Sequence, residues 1–189
     1  MPSGALIPLF TFIPKLAAIF EIYYLESKSA SLMKEHFIRL FNYDREINQQ
    51  FVQMILDAGS PEKTTQLMAH LLSAQQVWIK RCRQLPAPNQ SLWPDWPAEK
   101  FPVLLAENHA EWMTYLSSLS PADFDSIIRY STFKGDLFVN RLSDVFAHVI
   151  NHGVHHRAQI GQHLKQAGVE ELPITDYILY IRNLEKEQH

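Results

Sequence analysis

Four stretches of this sequence repeat apolar residues at intervals of three and four, and Gly or Pro punctuates the gaps between them. That pattern confines the chain to long amphipathic helices. The first stretch runs from Met33 to Asp57, with Phe37, Leu40, Phe41, Ile47, Phe51 and Ile55 on one stripe, and Gly59 ends it. Ser60-Pro61-Glu62 opens the second, with Ser as N-cap, Pro at the first position and an acid in the first turn. The second helix carries Leu67, His70, Leu71, Ala74, Val77 and Trp78 on one face and extends to about Gln84. Leu85 to Pro97 holds four prolines and reads as a loop. A third helix is expected from Glu99 to Leu119, on a stripe of Leu104, Leu105, Trp112, Tyr115 and Leu116. After Ser120-Pro121, the β-favouring runs Ile-Ile-Arg-Tyr and Leu-Phe-Val flank Lys134-Gly135-Asp136, an irregular excursion with a small hairpin over Ile127 to Asn140. The fourth helix spans Arg141 to Ala167, with Gly168 as its C-cap, and a short last helix runs from Ile174-Thr175-Asp176 to about Leu184. Four such helices, each with one wide stripe, predict an all-α four-helix bundle with a small irregular or hairpin insertion before the last long helix.

The 189 residues amount to one domain, and 47% hydrophobic residues suffice for a core without staples, so a metal would serve function rather than folding. The net charge of −3 gives no footprint for nucleic acid. A single cysteine, Cys82, excludes an internal disulfide and fits a reducing, cytoplasmic setting; a buried, inert thiol is its expected role. Ala5 to Phe20 is rich in Leu, Ile and Phe, but Pro8, Pro14 and Lys15 interrupt it, so it does not span a bilayer. No Lys or Arg precedes Ala5, as a secretory signal would require. The expectation is that residues 1–32 are a leader, non-native or poorly ordered, with Met33 as the native start and residues 33–189 as the domain. No membrane partner is expected.

Histidine is the outlier: nine are present, and five fall between His148 and His163. At 100° per residue with His152 at zero, Val145, Val149 and Ile160 lie at roughly 20°, 60° and 80° and define the buried stripe of the fourth helix. His156 falls at about 40°, inside the stripe, and His152 at its inner edge. Residues four apart stack on one face about 6 Å apart, so two imidazoles at that spacing can share an ion. His70, between Leu67, Leu71 and Ala74 on its own stripe, supplies a third. One buried histidine is ordinarily a hydrogen-bonded core group; a pair facing a third across the bundle points to a divalent metal. Three imidazoles plus an open position make a catalytic or exchangeable site, whereas a structural site takes four protein ligands. His148 and His155 fall on the shoulder of the stripe, and His163 lies two turns further along. His109 is expected to be exposed or to play a supporting role, and His36 and His189 to be solvated.

These residues resemble the DinB/YfiT-like family of metal-binding four-helix-bundle proteins, over roughly Met33 to Asn183. His152-Gly-Val-His-His156-Arg-Ala-Gln159 is similar to the family's H-x-x-x-H-R-G-Q signature, with Ala158 where Gly is usual. His70 followed by Trp78 resembles its second-helix motif, and Tyr43-Asp44 with Asn48 its Y-N-x-x-x-N segment, with Asp44 where Asn is frequent. Pro173-Ile-Thr-Asp176-Tyr-Ile resembles its tail. The resemblance implies an up-down-down-up bundle with a long crossover, a homodimer, and a Zn²⁺ or Ni²⁺ site on His70, His152 and His156. It also implies a small-molecule substrate and a low-molecular-weight thiol such as bacillithiol or mycothiol.

The chemistry expected is that of a metal-dependent S-transferase, in which a three-histidine metal lowers the pKa of a bound thiol. Asp44, Asn48 and His148 are candidates for orienting a ligand imidazole or the substrate. Arg157, at about 140°, points away from the site. The alternatives are a non-catalytic metal-dependent stress-response or binding protein, a metal–hydroxide hydrolase, and a bundle whose histidines are only core polar groups. No Glu follows His152 as in H-E-x-x-H, which argues against a protease.

Overall fold

The computed structural model describes residues 13–86, 91–132 and 134–187, with side chains between residues 31 and 186. Helix α1 (Ile13–Asp57) begins upstream of the expected start at Met33. No Gly or Pro occurs between Lys15 and Ala58, and Pro14 falls in the first turn, where its missing N–H costs nothing. Of the expected leader, residues 1–12 lie outside the described residues, as does His189. Helix α2 (Glu62–Cys82) starts differently from the sequence expectation. Ser60 is not its N-cap; it has φ 56° and donates its N–H to the Ile55 carbonyl, 2.8 Å away. Together with Gly59 (φ 75°), whose N–H reaches Leu56, it closes the end of α1 as a Schellman motif.

Helix α3 (Phe101–Ser118) follows the proline-rich loop and a single 3₁₀ turn, Ala98–Lys100. A second 3₁₀ turn, Pro121–Asp125, leads into strand β1 (Ile127–Ser131), which pairs antiparallel with β2 (Leu137–Arg141). This is the expected hairpin, turned through Gly135 at φ 88°. Helix α4 (Leu142–Gln166) ends as expected at Gly168, φ 93°, and α5 (Tyr177–Glu187) closes the chain. Among the described residues, no helix is long and apolar enough to cross a membrane.

Side-chain pairings give the topology. Phe37 meets Phe146, and Asp44 meets Arg157, so α1 and α4 run parallel. His70 meets His156 while Trp78 meets His148, so α2 and α4 are antiparallel. Asn42 bonds His109 and Lys34 reaches Ser117, so α1 and α3 are antiparallel. Asn108 bonds Leu72 while Tyr115 bonds Cys82, so α2 and α3 are parallel. The bundle is therefore up-down-down-up, and the parallel α2–α3 pair requires the long crossover that the prolines occupy.

The core has two apolar clusters. One, at the hairpin end, gathers Phe37, Phe41, Trp112, Phe124, Ile128 and Phe146. The other gathers Phe51, Ile55, Leu71, Phe101, Ile160 and Tyr180 at the opposite end. Between them each of the four bundle helices contributes buried polar side chains: Asp44 and Asn48 from α1, Ser73 and Gln75 from α2, Asn108 from α3, His156 and Arg157 from α4. Burial at this waist demands that every member find a partner, and it is here that the site lies.

Candidate metal centre

His70 on α2 and His152 and His156 on α4 each present a ring nitrogen, and the three nitrogens lie within 4.8 Å of one another. His70 and His156 are 8% and 7% exposed; His152 is half-buried. The Nε2 atoms of His152 and His156 are 3.1 Å apart. With Zn–N bonds of ~2.0–2.1 Å, the edge of a coordination tetrahedron is ~3.3 Å, so this pair has the spacing of two ligands on one ion.

The far side of two rings is already fixed. His70 Nδ1 lies 2.8 Å from the Leu92 carbonyl, and His156 Nδ1 lies 2.7 Å from Gln159 Oε1. Both oxygens are acceptors, so each Nδ1 carries the proton and each Nε2 keeps its lone pair for the shared centre. This is the outer support that metal-ligating histidines require. Electrostatics favour the same state. Burial, then the neighbouring His156 and His70, pushes the His152 pKa down to about 3. Burial also lowers His70, against its bond to Leu92, and burial followed by His70 lowers His156. Three uncharged imidazoles with converging ring nitrogens fit a divalent cation, and this group can hold a metal ion.

The crossover loop completes the site. Trp93 stacks on His70 at 3.8 Å between ring centroids with 9° between planes, and its ring stands perpendicular to His156 at 6.4 Å. Trp93 and Leu92 escaped the sequence reading, because a loop has no periodicity to place its side chains; an indole in a proline-rich loop was the available signal. Gln159 was visible only as part of the H-x-x-x-H-R-x-Q pattern, although its i, i+3 spacing from His156 permits the contact.

Asp44 and Asn48 do not reach the imidazoles. Asp44 forms a buried ion pair with Arg157 and accepts from Gln75 Nε2 at 2.7 Å and from Asn48 Nδ2 at 2.9 Å; Asn48 Oδ1 accepts from Arg157 at 2.9 Å. Arg157 does point away from the histidine cluster, but into the core, where a guanidinium needs a carboxylate. His148 packs edge-on against Trp78 at 4.9 Å, with its ring 5.8 Å from that of His152. It lines a cavity of about 240 Å³ with Trp78, Tyr130, Asn140, Asp144 and Val145, one helical turn from the cluster. His109 is half-buried and bonds Asn42, His155 is exposed beside His156, and Cys82 is buried.

Fold and site together define an up-down-down-up helical bundle with a three-histidine centre between its second and fourth helices. The sequence model of the DinB superfamily matches residues 58–160, more than half of the chain and all three histidines, and the chain belongs to that superfamily. No curated protein and no solved structure matches it significantly.

Proposed function

We propose that this protein is a metal-dependent enzyme of thiol transfer, with His70, His152 and His156 as ligands of Zn²⁺ or Ni²⁺, acting on a small molecule in the cytoplasm. The observation that carries the reading is the convergence of three neutral imidazoles of which two have their distal nitrogens tied to Leu92 and Gln159. An open position beside three imidazoles is the arrangement of an exchangeable or catalytic ion. Once bound, the ion would act as a Lewis acid that makes a coordinated thiol acidic enough to ionise near neutral pH.

The chain's own residues do the rest. Burial keeps His152 unprotonated, so it competes for the ion and not for a proton. The cavity bounded by Trp78, Tyr130 and His148 gives a substrate an apolar wall next to the cluster, while Asp144 and Asn140 offer polar atoms at its rim. The decisive experiment has two arms. Elemental analysis of the purified protein should show about one divalent ion per chain, absent in the His70→Ala/His152→Ala/His156→Ala variant. A screen of thiols against electrophiles should then give turnover that a chelator abolishes. Turnover that persists in chelator defeats the thiol-transfer reading, and a metal-free wild type defeats the site itself.

A further inference from the structure

Histidine side chains rotate broadly about their second torsion, so a ligand imidazole must be held in plane as well as pointed. Gln159 does this for His156 from within α4. His70 has no such partner on α2. Its Nδ1 bonds the Leu92 carbonyl on the crossover loop, and the adjacent indole of Trp93 lies flat on the ring. The loop is itself clasped to α2 where Ser73 Oγ donates to the Ser91 carbonyl at 3.0 Å, and within the loop the Trp93 N–H donates to Ser91 Oγ at 3.0 Å. The carbonyl fixes where Nδ1 points, and the parallel, stacked indole blocks the ring from tilting out of its plane.

Trp93 is not a core anchor. It is 48% exposed, whereas Trp112 is 1% exposed in the heart of the hairpin-end cluster. Its contact with His70 is the closest ring–ring approach among the described residues. A half-exposed indole laid flat on a candidate ligand serves the ligand more than the fold.

We propose that Trp93 is a positioning residue for His70 and thereby sets how long the centre retains its ion; this rests on the metal-binding reading above. Support of this kind is worth 10–100-fold in metal affinity. The test compares wild type, Trp93→Ala and Trp93→Phe, each loaded with Zn²⁺ and then mixed with excess chromophoric chelator, together with thermal melts of the metal-free proteins. Expected is a 10–100-fold faster Zn²⁺ release from Trp93→Ala, substantial recovery in Trp93→Phe, and metal-free melting temperatures close to that of wild type. In metal-free Trp93→Ala the His70 ring protons should also lose the ring-current shift of the stacked indole. Wild-type release kinetics in Trp93→Ala would overturn this proposal alone. A wild type that takes up no Zn²⁺ would overturn it together with the functional reading, so the two failures are distinguishable.

Discussion

Arg157 and Asp44 form an ion pair across the parallel α1–α4 contact, with side chains 2% and 3% exposed, one residue along the chain from His156. The pair is the centre of the polar waist, since Asp44 also receives Gln75 and Asn48. Removing one member leaves a buried, unpaired charge, which typically costs ~3–5 kcal/mol, whereas replacing both by apolar residues of similar volume is far less damaging. Asp44→Ala should therefore lower stability by about that much in urea denaturation. The double variant Asp44→Leu/Arg157→Leu should recover a large part of it. Equal loss in the two variants would mean that the waist is held by shape and not by charge.

Gly153 lies where α4 crosses this pair. A Cβ there would sit 2.5 Å from Asp44 Oδ1 and 2.9 Å from Arg157 Nη1. Elsewhere in a helix, Gly→Ala stabilises by ~1 kcal/mol. Here the added methyl must push apart two buried, mutually bonded side chains, an overpacking cost of ~1–3 kcal/mol. Gly153→Ala should thus destabilise, and the sign of the change in urea midpoint is the measurement: a gain would show that the α1–α4 distance relaxes freely.

The bundle and the histidine trio were legible in the sequence because both follow from angles on a helix: a 3.6-residue period places Phe37 and Val145 inward and stacks His152 on His156. What a wheel cannot supply is which neighbour a face meets. Arg157 was placed correctly at its angle, yet its partner Asp44 is 113 residues away on a helix whose packing side no local pattern specifies. The loop residues Leu92 and Trp93 were invisible for the same reason in stronger form. Ser60 misled because its N-cap pattern competed with the left-handed closure that Gly59 begins, and closure of α1 won.

Gln159 Oε1 holds His156 Nδ1 at 2.7 Å. Gln159→Leu keeps the size of the side chain and deletes the acceptor, so His156 loses its preference for the tautomer with Nε2 free. Metal affinity, measured by chelator competition, should fall 10–100-fold while the fold, by circular dichroism, is retained. Affinity unchanged in this variant would separate His156 from its assigned support.

The metal-free protein should weaken in acid. The folded-state pKa of His152 is depressed to about 3, and His70 and His156 are lowered in the same direction, all chiefly by burial. Unfolding frees these rings to take up protons as pH falls through the ordinary histidine range near 6.5. The unfolded state then binds more protons than the folded one, so stability is full above about pH 6.5 and drains away as pH drops towards 3. Urea midpoints of chelator-treated protein should fall over this window, and replacing all three histidines by glutamine should flatten the decline. A triple variant with the wild-type slope would place the acid sensitivity in other groups.

Cys82 bears on where the thiol of the proposed reaction comes from. It is buried at the end of α2, 4% exposed, and burial pushes its pKa up to about 12. Twelve residues of helix separate it from His70, ~18 Å along the axis, so it cannot serve as nucleophile at the histidine cluster. As the chain's only cysteine, it leaves any reacting thiol to come from solution. A protonated, inaccessible sulfur reacts slowly with disulfide reagents and alkylators. Native protein at pH 8 should show almost no reaction with an aromatic disulfide reagent, against one equivalent in denaturant, and Cys82→Ala should keep both metal content and any thiol-dependent turnover. Rapid, stoichiometric labelling of native protein, or turnover lost with Cys82, would bring the sulfur into the chemistry and remove the need for an external thiol.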